Sequence, residues 1–482
     1  MSVAPPTGDM PRAEFERRGR ELVEWIGAYL EEVEDLPVLA RVRPGDLRRA
    51  LPPEAPILGE SMDAILEDFR TLVLPGVTHW NHPAFHGYFA VTGSGPGILG
   101  ELLAAALNVN AMVWRTSPAG TELEEHVLRW LADLLGLGEG FGGVIQDTAS
   151  TSSFVALAAA RQRAFPEVRA EGLAGLPPGR VYASEEAHSS IEKAVVALGL
   201  GRRGYRAIPT DAGFRMRPDE LREAIRADRR AGLRPVAVVG TIGTTSTTSV
   251  DPVPDLVEIA RDEGLWLHLD AAYAGSAALL PELNGHFEGW AAADSVVFNP
   301  HKWLFTPVDC SVLFMRNPGE VRSAFSIVPE YLRTAEGGDA TNLMDYGLAL
   351  GRRFRALKLW FVLRYFGADG IRARIRAHLD LARTFADWVE GTQGWELVAP
   401  VPFSTVVFRL APPELEGEVL DRMNLALMEA VNASGGALVS HTRLRGRIAL
   451  RLSIGHLRTT PDHLERTRAL LERTAEGLLA AS

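Results

Sequence analysis

From about residue 86 the chain repeats one pattern: a short apolar run, a polar or glycine-rich turn, then a helical stretch. GVIQDTASTSSFVALAAARQRAF, from Gly143, is one copy, and RVYASEEAHSSIEKAVVAL, from Arg180, is the next. PVAVVGTIGTT, LWLHLDAAYAG and DSVVFNPHKW are apolar runs ending in similar turns, and CSVLFMR reads as a further strand. This alternation predicts an α/β fold with a mostly parallel central sheet covered by helices. Ligands in such folds bind beyond the C-terminal ends of the strands. Polar clusters fall at four of these ends: 147–153, 241–248, 268–273 and 298–302.

The flanks differ. Residues 12–35 carry Phe15, Leu22, Ile26, Tyr29 and Leu30 near helical spacing, and a Pro-rich connector follows. A second helical pattern around Ile65, Leu66 and Phe69 ends before Leu74-Pro75-Gly76. Beyond the repeating region, 352–366 and 371–390 read as helices, and WELVAP, STVVFRL and RIALRLSIG as strands. The pattern therefore divides the chain into a helical N-terminal arm or lid (1–85), a large α/β domain (86–359) and a smaller C-terminal α/β domain (360–482). The stretch 329–345 has no clean period and contains a glycine pair, so it reads as a loop.

Composition narrows the function. The 482 residues carry a net charge of -11, which disfavours a general nucleic-acid or anionic-membrane binder. A single cysteine, Cys310, excludes an intrachain disulfide and a thiolate metal cluster, and no metal is expected. It fits a reducing compartment, and a cytoplasmic location is expected. The start, MSVAPPTGDMPRAEF, has no apolar run of signal-peptide type, and no long uncharged apolar stretch predicts a membrane span.

The 50 basic residues include only three lysines: Lys193, Lys302 and Lys358. Chemistry that needs a primary amine has three candidates. Lys358 lies in an Arg-rich amphipathic helix and reads as a solvated or interface lysine; Lys193, in the first turns of a helix, reads as a surface one. Lys302 follows the apolar run Val296-Val297-Phe298 and stands between His301 and Trp303. A partly desolvated lysine becomes a usable nucleophile. Asp270 ends an apolar strand, where a carboxylate needs a partner. Thr148, Ala149 and Ser150 lie at a strand-to-helix junction, where backbone N–H groups can cradle a phosphate or simply be capped. Thr245 lies in a similar polar turn, and His188 can stack on a flat ring or face a core polar group. A lysine, an acid, a phosphate cradle and a ring neighbour together specify pyridoxal 5'-phosphate.

With these residues in view, the sequence resembles the pyridoxal-phosphate-dependent group II decarboxylases, in their aromatic-L-amino-acid branch. The stretches that carry the resemblance are PGVTHWNHPAF, SPAGTELE, AHSS, GTTSTTSVDPV, LWLHLDAAYAGSA, FNPHKW and LGRRFRALKLWFVLR, spread over roughly 12–480. The resemblance implies an aspartate-aminotransferase-like, fold type I enzyme that releases carbon dioxide from aromatic amino acids. Lys302 would carry the Schiff base, Asp270 would pair with the pyridine nitrogen, His188 would stack over the ring and Ala272 would touch its other face. Thr148, Ala149, Ser150, Asn299 and His301 match positions around the phosphate, and Thr245 a position beside the cofactor. Gly351 would approach the phosphate of a partner subunit in a homodimer. Trp80, Tyr88, Phe89 and Met112 match the substrate pocket, and Tyr331 matches a loop tyrosine that returns a proton. Family members that act as aldehyde synthases carry phenylalanine at that loop position. Where animal members have PTASSYPAM, this chain has Ala90-Val91-Thr92-Gly93-Ser94-Gly95-Pro96-Gly97-Ile98, which leaves the preferred ring open. Decarboxylation of glutamate or histidine, and aromatic aldehyde synthesis, are the alternatives on the same scaffold.

Overall fold

A computed structural model describes residues 8–327 and 340–481. Its chain forms two compact units that do not follow chain order. One comprises residues up to Gly87 together with Leu410–Leu452 and the segment from Arg458; the other comprises Tyr88–Arg409 and Ser453–Leu457.

The larger unit is built on a seven-stranded sheet: β1 (Gly142–Gln146), β2 (Gly179–Ser184), β3 (Tyr205–Ile208), β4 (Arg234–Thr241), β5 (Trp266–Asp270), β6 (Ser295–Phe298) and β7 (Ser311–Met315). The order is β1-β7-β6-β5-β4-β2-β3. β3, β2, β4, β5 and β6 run parallel, while β7 is antiparallel to both β6 and β1. The mostly parallel sheet read from the sequence is therefore present.

Side chains alternate across the pleat, so each strand feeds two cores. Val238, Leu267, Leu269, Val296 and Phe298 enter one hydrophobic cluster. Ala237, Val239 and Trp266 enter the other, against Val155, Ala156 and Ala159 of the helix Ala149–Ala164. By the same alternation, Thr241, His268 and Asp270 share the face that this Ala-rich helix covers. Small side chains let the helix lie close to the sheet, and Thr148 starts it by accepting the Thr151 N–H at Oγ1 (3.4 Å). The two helices read at 352–366 and 371–390 form Arg355–Gly391, broken at Gly367, whose φ of 63° lies in the left-handed region that glycine tolerates.

In the smaller unit the N-terminal segment packs on the last helices of the same chain. The Val38 N–H donates to Gly435 O (2.9 Å), and the Leu438 N–H donates to Ala84 O (3.1 Å). Glu34 Oε2 meets His463 Nε2 at 2.7 Å, and the Tyr29 hydroxyl meets His79 Nδ1 at 2.9 Å. Among the described residues, no helix is long and apolar enough to cross a membrane.

Candidate active site

The exits of β4, β5 and β6 lie side by side. Thr241 is in register with Asp270, and Asp270 with Val297. Asp270 is only 6% exposed, and its Oδ1 accepts the Ala272 N–H at 3.0 Å. The Asn299 N–H donates to Ala272 O (3.1 Å), pinning the exit of β6 to that of β5. The short helix Pro300–Trp303 then turns Lys302 back toward this edge, with the Lys302 N–H donating to Asn299 O (3.0 Å).

Lys302 is half-buried, and its Nζ stands 5.1 Å from the centre of the Phe89 ring. Phe89 stacks on Tyr273 (3.9 Å between ring centres), and Tyr273 stacks on Trp303 (5.0 Å). Two polar handles hold this column: the Tyr273 hydroxyl bonds Ser404 Oγ at 2.6 Å, and Trp303 Nε1–H donates to His378 Nδ1 at 2.9 Å. Tyr273 was not among the candidates read from the sequence. Its position three residues after Asp270 was the available signal.

His188 caps the helix Ser189–Ala197, with Nδ1 accepting the Ser190 N–H (3.2 Å). Restricted hydration lowers its pKa; the Asp270 charge opposes that shift and the Lys302 charge reinforces it, so all three groups share one electrostatic neighbourhood. Part of the His188 ring remains exposed, leaving room for a flat partner. At the cradle, Ala149 is half-buried and Ser150 exposed in the first turn. His268 locks that helix to the sheet: Nε2 meets Ser153 Oγ at 3.0 Å, and Nδ1 meets Ser295 Oγ at 2.9 Å. Thr245 is exposed in the turn after β4, and Ala272 is buried beside Asp270.

Two buried polar atoms at this edge, Thr241 Oγ1 and Asn299 Oδ1, have no hydrogen-bond partner among the described residues. Buried polar atoms are almost always paired, so these two point to a polar occupant. A primary amine, a carboxylate, an open helix N-terminus and an imidazole beside them fit an aldehyde-bearing pyridinium phosphate.

A family model described as the pyridoxal-dependent decarboxylase conserved domain matches residues 44–411. The chain belongs to that family. It is 40% identical to a phenylacetaldehyde synthase of Arabidopsis thaliana, over 98% of this chain and 97% of that one. It is 39% identical to tyrosine decarboxylase 4 of Petroselinum crispum, over 98% and 96%. The crystal structure of Oryza sativa TDC with PLP and tryptamine superposes with a TM-score of 0.95 at 36% identity, covering 99% of this chain and 100% of that one. Family and fold together place the chain in the aromatic branch of these enzymes, with the fold type I architecture and pyridoxal phosphate as cofactor.

The other residues singled out by the resemblance are distributed as follows. Met112 and Gly351 lie around Asn110: a Cβ on Gly351 would come within 3.8 Å of Asn110 Nδ2, which itself reaches Met112 Sδ at 3.5 Å. Trp80 belongs to the smaller unit, where it stacks on Phe85 at 4.4 Å. Tyr88 is exposed, with a φ of 55°. Tyr331 lies outside the described residues.

One lysine differs from its sequence reading. Lys193 is exposed as expected, but Lys358 is 0% exposed, with Nζ 2.9 Å from Glu101 Oε2. The cause is close helix packing: a Cβ on Gly100 would lie 2.7 Å from the Lys358 Cα, so the helix Gly95–Leu107 closes over it. Burial pulls the Lys358 pKa down to about 8.

Proposed function

We propose that this enzyme converts aromatic L-amino acids to arylalkylamines and carbon dioxide at the edge formed by Asp270, Lys302 and His188. The observation that carries the aromatic preference is the Phe89 ring beside Lys302 Nζ, backed by the stacked rings of Tyr273 and Trp303, an apolar surface suited to an aryl side chain. The relatives named for tyrosine decarboxylation support it.

Bound pyridoxal phosphate supplies the electron sink for the bond between Cα and the carboxylate. This chain's residues do the rest. Lys302 would hold the cofactor through its Nζ, the primary amine at this edge. Asp270 would favour a protonated pyridine nitrogen, a charge–charge term that strengthens as water leaves the site. Thr148, Ala149, Ser150, Asn299 and His301 would hold the phosphate, and Thr245, His188 and Ala272 would border the ring. Tyr88, Phe89 and Met112 of the larger unit would line the substrate pocket. The Tyr331 hydroxyl returns a proton to Cα, with His188 as relay.

A carbon dioxide release screen tests the reading. Phenylalanine, tyrosine, tryptophan, dopa and 5-hydroxytryptophan should include the best substrates; glutamate or histidine outperforming all of them would overturn it. A second reading, aromatic aldehyde synthesis, is favoured by the likeness to phenylacetaldehyde synthases. Tyr331 argues against it. Tyr331→Phe is expected to abolish most amine output and to produce aldehyde with oxygen uptake and ammonia release. Unchanged amine with no oxygen uptake would remove Tyr331 from the mechanism.

Two further parts of the proposal concern assembly and location. The helix Gly95–Leu107 leaves Leu99, Leu102, Leu103 and Leu107 about half exposed, an apolar face for a second copy of the chain in a homodimer. Full activity at a monomer mass on dilution would count against it. The single cysteine, buried at position 310, suits a cytoplasmic enzyme.

A further inference from the structure

His301 is clamped at two points by one residue. Its N–H donates to Cys310 O (3.3 Å), and its Nδ1 accepts the Cys310 N–H (2.9 Å). A ring nitrogen that accepts a backbone N–H carries no proton, so the neutral imidazole has its proton on Nε2. Burial, with the Lys302 charge adding to it, lowers the His301 pKa to about 4, so the ring is neutral near pH 7.

The clamp needs an anchor. Residues 304–310, between the short helix ending at Trp303 and β7, form no strand or helix, and Val308 is exposed. The side-chain anchor lies one residue before Cys310. Asp309 receives both arms of Arg355, with Nε to Oδ1 at 3.0 Å and Nη2 to Oδ2 at 3.1 Å. Such a fork fixes a carboxylate in direction as well as distance. Arg355 is rigidly placed in turn, at the first turn of the helix Arg355–Gly391, and it feels the charge of Asp147 at the foot of the phosphate cradle.

The geometry assigns Arg355 a positioning role. Its fork to Asp309 holds the Cys310 N–H on His301 Nδ1, and so keeps Nε2–H as the imidazole's donor toward the cofactor phosphate. This rests on the reading above that His301 borders the phosphate. The free cysteine thus contributes its backbone; burial pushes its thiol up to about 12 and leaves it inert.

Two measurements on the full-length protein test this: the dissociation constant of pyridoxal phosphate for the apoenzyme, and the His301 tautomer from nitrogen-15 histidine spectra. The His301 resonance is assigned by its disappearance in His301→Ala. Arg355→Ala should weaken cofactor binding about tenfold, the size of one charge-assisted hydrogen bond, and turn a single Nε2–H tautomer into a mixture. Arg355→Lys, which keeps the charge without the fork, should fall between. Should Arg355→Ala fail to fold, Asp309→Asn is read by the same two measurements. A purely structural Arg355 would lower the melting temperature and leave the tautomer unchanged, and that result overturns the proposal. If His301→Ala binds the cofactor as tightly as the wild type, the placement of His301 at the phosphate is wrong and the proposal falls with it.

Discussion

Lys302→Ala is expected to abolish borohydride-trapped attachment of the cofactor and to cut turnover by on the order of 10³-fold or more, at the upper end of what a group that both bonds and moves protons supplies. The size of the effect follows from the absence of a substitute. Lys193 is exposed on the helix Ser189–Ala197, and Lys358 is buried against Glu101. The position of Lys302 is set by the backbone bonds Asn299 N–H to Ala272 O and Lys302 N–H to Asn299 O, which the substitution leaves intact. Cofactor held noncovalently by the cradle should therefore remain detectable by dialysis. Trapped cofactor on another lysine, or turnover within tenfold of wild type, would refute the assignment.

Asp270→Asn is expected to lower turnover by about 10²- to 10³-fold, the usual cost of removing one preorganised electrostatic contact at a reacting centre. The exchange is close to isosteric, and Asn keeps an oxygen for the Ala272 N–H that Asp270 Oδ1 now accepts. What it loses is the negative charge that we propose would face the ring nitrogen of the bound cofactor. The fall should appear mainly in kcat, because the phosphate cradle and Lys302 are untouched. The pKa of His188 should also drop further, since the Asp270 charge now works against the desolvation that lowers it. A His188 titration unmoved by the substitution, with kcat within tenfold, would place the carboxylate outside the site.

Much of this was legible in the chain because it rests on local rules. Short apolar runs followed by polar turns and helical stretches specify strands, and the order of strands and helices specifies a parallel sheet. The break between 366 and 371 was visible as a glycine between two helical patterns. Asp270 stood out as a charged residue ending an apolar run, where burial demands a partner, and Lys302 as a lysine four residues past one, between His301 and Trp303.

Other features depend on residues far apart in sequence. The burial of Lys358 comes from Gly100, on a helix some 250 residues earlier, whose missing side chain lets two helices touch. The column on Lys302 joins Phe89, Tyr273 and Trp303, held by Ser404 and His378. The N-terminal segment, which reads as an arm or lid, pairs with Gly435 and Leu438 of its own chain.

By itself, the amino-acid sequence determined the fold class, the three lysines to which covalent chemistry is limited and the family, because each depends on short-range pattern or on residue identity. The tertiary structure alone decided that Lys358 is buried against Glu101, which aromatic rings meet, and how Arg355 reaches the loop whose Cys310 N–H meets His301. Those outcomes depend on side-chain packing and hydrogen-bond direction between distant segments, and only the closed fold brings such partners within a few ångströms of each other.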